Sequence, residues 1–129
     1  MTAATASKPV LVDSSGWLEY ITEDTNAAAF EPYIAGERPL LVPTIVLYEV
    51  RKKLLQVYGK TKADQFVSHA LRQQTVPLDD SLALAAARLS LEHKLGMADA
   101  IIYATSLGRE AELVTSDQAF RELPGVTVL

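Results

Sequence analysis

Short apolar runs alternate with longer stretches of helical period along the chain. Most of the short runs lack alternating polar residues, which is typical of parallel strands that helices cover on both faces. Pro, Gly, Asp or Ser bounds most of them, as expected at strand ends. The predicted strands are Val10–Asp13, Leu40–Val42, Thr75–Leu78, Glu112–Thr115 and Val126–Leu129.

The stretches between these runs have the spacing of amphipathic helices. The predicted helices are Ser15–Glu23, Asn26–Ala35, Thr44–Tyr58, Thr61–Gln73, Asp80–Leu91 and Met97–Arg109. Strands that alternate with helices predict an α/β fold of three layers, α/β/α, around a central parallel sheet of about five strands. In such sheets, ligands bind beyond the carboxyl ends of the strands, where the strand order reverses.

Length and composition indicate one domain. The 129 residues are 49% hydrophobic, which suffices for one core, and we expect residues 1–129 to form a single domain with residues 1–8 as a flexible N-terminal tail. No apolar stretch is long enough to span a bilayer, and "MTAATASK" lacks the apolar centre of a secretory signal. We therefore expect a cytoplasmic protein without a membrane partner.

The composition also limits the chemistry. The chain has no cysteine and two histidines, which excludes thiolate catalysis and cysteine zinc sites and disfavours a histidine metal site. Its net charge of −4 argues against a non-specific coat on nucleic acid. Carboxylates, hydroxyls and basic groups remain as candidate functional groups.

Asp13 follows the apolar run in "PVLVDSSG". At the end of a buried strand, a carboxylate lies where α/β proteins bind ligands. The alternative is that Asp13 only caps the following helix, although Ser14 or Ser15 could do this as well.

Glu49 belongs to the segment "VPTIVLYEV", where Thr44 is the expected N-cap of a helix. The apolar stripe of this helix consists of Ile45, Val46, Val50, Leu54 and Val57. Glu49 lies four residues after Ile45, so it is on or beside this stripe, where an unpaired carboxylate is costly. A structural salt bridge is the alternative explanation.

Two further acids occupy similar places. Asp99, in "LGMADAIIYATSL", shares a helix side with the apolar Ile102 and Tyr103, although it could merely favour the helix dipole. Asp117, in "LVTSDQAF", follows a predicted strand as Asp13 does, and it too could be a cap. A right-handed βαβ topology can bring all these acids to one sheet edge.

Converging carboxylates need a counter-charge, because their repulsion would otherwise raise their pKa values. A hard divalent cation supplies it, and an all-oxygen site favours Mg²⁺ or Mn²⁺ over zinc. Such acidic sites recur in the hydrolysis of phosphodiesters.

The four acidic segments together resemble, in order and spacing, the PIN-domain ribonucleases, and most closely the VapC-type toxins of toxin–antitoxin pairs. The resemblance covers Pro9 to Leu129. It implies a sheet of order 3-2-1-4-5 and a Mg²⁺-dependent endoribonuclease, with Mn²⁺ able to substitute. It also implies a metal-binding catalytic site. The acids of this site would be Asp13, Glu49, Asp99 and Asp117, with support from Ser14, Thr115 and Ser116.

The resemblance further implies an RNA substrate, a homodimer and a small VapB-like antitoxin. Arg51, Lys52 and Lys53 follow Glu49 on one helix and are candidates to meet RNA phosphates, although an exposed basic face is usually only solvated. Trp17 is expected to pack in the core and not to stack on bases.

Three other functions stay open. The first is phosphoryl transfer to Asp13, which the "TSDQAF" segment disfavours because it offers no lysine after the fourth strand. The second is a PIN-domain nuclease of RNA processing or decay. The third is a non-catalytic module that binds RNA or protein, which metal dependence would distinguish from a nuclease.

Overall fold

The structure is a computed structural model that describes residues 8–129, so residues 1–7 of the expected flexible tail lie outside it. The described part forms five strands and six α-helices. The strands are β1 (Val10–Val12), β2 (Leu40–Pro43), β3 (Gln74–Val76), β4 (Glu112–Thr115) and β5 (Val126–Val128). The α-helices are α1 (Ser14–Ile21), α2 (Ala27–Ile34), α3 (Thr44–Val57), α4 (Lys60–Ala70), α5 (Asp80–His93) and α6 (Met97–Gly108), and a 3₁₀ helix spans Gln118–Phe120.

The strands form one parallel sheet in the order β3-β2-β1-β4-β5, which confirms the predicted fold and strand order. The first strand lies at the centre, where Val10 pairs with Leu40 of β2 on one side and with Glu112 of β4 on the other. The chain thus builds one half of the sheet outward from β1 and then crosses to β4 for the other half. The strand order reverses between β1 and β4, so the carboxyl ends of these two strands flank the expected ligand site.

Helices cover both faces of the central strands. Val10, Leu11 and Val12 are all 0% exposed, although successive strand side chains point to opposite faces. The edge strand β3 differs, since Gln74 and Thr75 are exposed. The helices pack in neighbouring pairs, α3 with α4 and α5 with α6. Within residues 8–129 no helix combines the length and apolar character needed to cross a membrane.

Several predicted boundaries are wrong by one to three residues. Asp13 lies outside β1 and is the N-cap of α1, and Thr44 is the first residue of α3, because Pro43 occupies the N-cap position without a side-chain hydrogen bond. The third strand is Gln74–Val76, and its predicted end at Leu78 belongs to the following loop. Val57 is 58% exposed and does not belong to the buried stripe of α3, because the last turn of the helix extends beyond the core.

Gly16 is a position where only a glycine fits. A Cβ placed there would lie 2.6 Å from a side-chain carbon of Phe30 and 2.6 Å from one of Val12. Both neighbours are buried and cannot move away easily. The absence of a side chain at Gly16 therefore lets α1 lie directly on α2 and β1.

We expect Gly16→Ala to lower the free energy of unfolding by about 1–3 kcal/mol through overpacking, despite the better helix propensity of alanine. Urea denaturation followed by circular dichroism measures this change. Gly108→Ala is the matched control, because its nearest contact would be an ordinary 3.8 Å to Leu82. Equal loss of stability in both variants would show that close packing is not the reason for glycine at position 16.

Candidate active site

The four predicted acids lie around the carboxyl edge of β1 and β4. Asp13 follows β1 directly, and Asp117 lies two residues beyond the end of β4. Glu49 comes from the second turn of α3 and Asp99 from the first turn of α6. Electrostatic repulsion from the other three acids acts on Asp99, so all four share one neighbourhood.

Asp13 is the most buried of these acids, with 3% of its surface exposed. Its Oδ1 accepts hydrogen bonds from the Ser15 hydroxyl at 2.8 Å and from the Gly16 backbone N–H at 3.1 Å. Its Oδ2 accepts one from the Thr115 hydroxyl at 2.6 Å. Burial raises the pKa of Asp13, while these three hydrogen bonds oppose the rise because they favour the charged form. Asp13 is therefore both a helix cap and a rigidly held site carboxylate.

A hydroxyl network joins the two strand ends. The Thr115 hydroxyl also accepts a hydrogen bond from the backbone N–H of Asp117 at 2.9 Å, and Ser116 donates to Ser15 at 3.2 Å. The predicted supporting residues Thr115 and Ser116 thus lie at the site. Ser15 also lies at the site and was not among the predicted site residues, because either serine of "DSS" could have faced the acids.

Asp117 is both a helix cap and a neighbour of the other acids, the two alternatives that its sequence position left open. Its Oδ1 accepts a hydrogen bond from the backbone N–H of Ala119 at 2.9 Å, so it caps the 3₁₀ helix. It also adds to the repulsion that acts on Asp13 and on Asp99. Capping therefore accounts for one oxygen of Asp117 and leaves its charge directed at the site.

Glu49 is partly buried and accepts a hydrogen bond from the Ser14 hydroxyl at 2.6 Å. This contact places Ser14, the third predicted supporting residue, at the site as well. The salt-bridge alternative for Glu49 is wrong, because within residues 8–129 the ion pairs involve other acids. Ser14 is hence a direct link between α1 and the acid of α3.

Asp99 carries the clearest sign of uncompensated charge. Its pKa is raised to about 6, first by partial burial and then by repulsion from Asp117, Asp13 and Glu49. None of these four acids forms an ion pair with a basic group in the described part of the chain. A negative site to which the described residues contribute no paired cation suits a cationic ligand.

The donor chemistry of this site fits a hard divalent cation, since carboxylate and hydroxyl oxygens are the ligands that Mg²⁺ and Mn²⁺ prefer. In the side-chain arrangement of residues 8–129, however, no three acids or histidines are placed to bind one ion together. Glu49 accepts a hydrogen bond from Ser14, and Asp117 accepts one from Ala119. One oxygen of each carboxylate is therefore already engaged in a local hydrogen bond. Asp13 and Asp99 would have to share any ion with water or with rearranged neighbours.

The three predicted basic residues differ in their surroundings. Arg51 forms an ion pair with Asp64 at 3.2 Å, which reduces its availability for phosphate. Lys52 and Lys53 are exposed and have no ion-pair partner among the described residues. Trp17 is 0% exposed and packs edge to face against Phe66, as expected for a core residue.

Solved structures resemble this chain over nearly its whole length. A toxin–antitoxin complex from Klebsiella pneumoniae contains a chain that is 21% identical, with a TM-score of 0.77 and coverage of 92% of this chain and 96% of that one. VapC20 of Mycobacterium tuberculosis, a toxin that cleaves the sarcin–ricin loop, is 18% identical, with a TM-score of 0.78 and coverage of 92% and 98%. VapBC2 of Rickettsia felis, bound to a DNA fragment of its promoter, is 16% identical, with a TM-score of 0.71 and coverage of 94% and 97%.

At these identities the structural similarity establishes the fold alone. No curated protein matches this chain in sequence. The sequence profile of the PIN domain, however, matches residues 10–126, which include all four acids and every strand except the end of β5. This chain is a member of the PIN domain family.

Proposed function

We propose that this protein is a Mg²⁺-dependent endoribonuclease that hydrolyses RNA phosphodiester bonds and is the toxin of a toxin–antitoxin pair. The observation that carries the proposal is the cluster of four carboxylates at the switch point of the sheet, which have no basic ion-pair partner within residues 8–129. The toxin role is supported by the names of the structural neighbours, which describe toxins and toxin–antitoxin complexes. A cytoplasmic homodimer that binds a small antitoxin belongs to the same proposal.

Asp13 and Asp99 would hold the cation, with Glu49 and Asp117 completing its surroundings, and Mn²⁺ could take the place of Mg²⁺. A divalent cation supplies the Lewis acid that activates water and stabilises the charge on the phosphate in phosphodiester hydrolysis. The protein holds the carboxylate oxygens of the site acids in place. Thr115 and Ser15 hold the two oxygens of Asp13, and Ser14 holds one oxygen of Glu49.

Asp13→Asn and Asp99→Asn should each lower the rate of RNA cleavage by about 100-fold or more, because losing a charged metal ligand costs more than losing a group that only orients one. The measurement is cleavage of a mixed RNA pool with Mg²⁺, Mn²⁺ or EDTA. Glu92→Gln is the control, since Glu92 is an exposed acid of α5 that pairs with Arg88. Wild-type cleavage that persists in EDTA, or in both Asn variants, would disprove the metal mechanism.

Metal-free stability should depend on pH through Asp99. Its pKa lies at about 6 in the folded protein against an ordinary value of 3.8, so the folded state holds the proton more tightly than the unfolded state does. The free energy of unfolding should therefore fall as the pH rises from about 4 to about 6. The destabilisation persists above pH 6, where Asp99 is charged.

Asp99→Asn should consequently be more stable than the wild type at pH 7 in EDTA, by roughly 1 kcal/mol after allowance for solvent screening of a partly exposed group. Mg²⁺ should stabilise the wild type and have less effect on this variant. Urea denaturation at pH 4 and pH 7, with EDTA and with Mg²⁺, measures both differences. A variant less stable than the wild type at pH 7 would contradict the proposed charge repulsion.

Ser14→Ala tests how far orientation of Glu49 matters. We expect the Mg²⁺ concentration for half-maximal cleavage to rise about 10-fold to 100-fold, as for loss of other groups that orient a metal ligand. Thermal stabilisation by Mg²⁺ should shift to higher concentration by the same factor. Ser81→Ala, at an exposed serine of α5, is the control. An unchanged Mg²⁺ dependence would assign Ser14 to helix packing alone.

A further inference from the structure

A ridge of three side chains runs along the outer face of α3. Tyr48, Lys52 and Gln56 follow one another at intervals of four residues, which places them in one line along the helix. On one side of this ridge lies a polar cleft of about 240 Å³, which the ridge residues share with Glu49 and Lys53. Because Glu49 belongs to the acidic site, this cleft adjoins that site.

The ridge carries an exposed aromatic ring beside unpaired positive charge. Tyr48 is 60% exposed, which is unusual for a tyrosine that packs in a fold. The Nζ of Lys52 lies 5.6 Å from the centroid of this ring, within reach of a cation–π contact. Lys52 and Lys53 form no ion pair within residues 8–129, whereas the neighbouring Arg51 pairs with Asp64.

We propose that this polar cleft binds an unstacked nucleotide of a single-stranded RNA substrate, next to the phosphate held at the acidic site. The base stacks on Tyr48, and the ammonium groups of Lys52 and Lys53 contact the flanking phosphates. An aromatic ring next to basic groups is the combination that proteins use for single-stranded nucleic acid, where the base faces are free. This inference rests on the proposed ribonuclease function and adds the place where the strand lies.

A protein partner fits the polar cleft less well. Covering it with a second copy of this chain would bury the ammonium groups of Lys52 and Lys53, which have no acidic partner among residues 8–129, and such burial is costly. An RNA strand neutralises both ammonium groups with its phosphates, and the counterions condensed on the RNA are released when it binds. The other side of the ridge is different, because Leu47 and Leu55 line an apolar cleft there. Nucleotide binding is therefore assigned only to the side that Glu49 and Lys53 line.

The test is the binding of a fluorescently labelled single-stranded RNA 12-mer of mixed sequence, followed by anisotropy in EDTA. Tyr48→Ala should weaken binding about 10-fold, whereas Tyr48→Phe should bind like the wild type because it keeps the ring. Lys52→Gln and Lys53→Gln should each reduce the slope of log K against log salt by about 0.7. With Mg²⁺, the same substitutions should raise KM more than they lower kcat.

Two control variants are matched to these substitutions. Tyr58→Ala removes another exposed tyrosine, the C-cap at the far end of α3, which is 51% exposed. Arg109→Gln removes an exposed charge that follows α6, before β4, and so lies at the opposite edge of the sheet. Both should retain wild-type affinity and KM. A duplex of the same RNA sequence should bind without sensitivity to Tyr48→Ala, since its bases remain stacked.

The inference is overturned if the wild type cleaves RNA with Mg²⁺ while Tyr48→Ala retains its affinity and KM. It is also overturned if Tyr48→Ala changes only the sedimentation coefficient, because the ridge would then be a contact between protein chains. Failure of the proposed function looks different. In that case the wild type neither cleaves with Mg²⁺ nor binds the 12-mer, and both proposals fall together.

Discussion

The structure depends on keeping one buried carboxyl group, that of Asp13, at the end of a fully buried strand. Its oxygens are satisfied by Ser15 and Gly16 of α1 and by Thr115 of β4. The last of these contacts requires β1 and β4 to pair in the observed register, with Val12 opposite Val114, so that Asp13 and Thr115 emerge side by side. An unsatisfied buried carboxylate would cost several kcal/mol, so the hydrogen bonds that serve the site also favour this strand pairing over alternatives.

The same arrangement leaves an excess of negative charge that no ion pair neutralises in the described part of the chain. Hydrogen bonds from hydroxyls orient Asp13 and Glu49, but they supply no positive charge. The pKa of Asp99 is raised first by its partial burial and then by the repulsion that remains. A bound cation would remove this repulsion, so cation binding and stability should be thermodynamically linked. The metal-free fold therefore gives up some stability by keeping these carboxylates close together.

The parallel sheet was predictable from the pattern of buried strands, and parallel strands bring residues at their carboxyl ends to one edge. The strand order came from the resemblance to PIN-domain ribonucleases and not from the pattern itself. The role of Ser15 was not predictable, since a sequence does not show which of two adjacent serines turns toward Asp13. The exposure of Val57 was missed for a related reason: apolar spacing identifies a helix face but not where that helix leaves the core. The orientation of Glu49 likewise depends on Ser14, which is distant in sequence.

An acidic protein would be expected to bind RNA poorly, but the acidic and basic residues of α3 lie on different parts of the helix surface. Glu49 points its charge to the site, while Lys52 and Lys53, three and four residues later, stand on the neighbouring exposed surface. A net charge of −4 describes the whole chain, whereas an approaching strand responds to the local field within about 10 Å. In the proposed reaction the metal-free acids would repel that strand. Lys52 and Lys53, which form no ion pair within residues 8–129, provide the attraction that a uniformly acidic surface would lack.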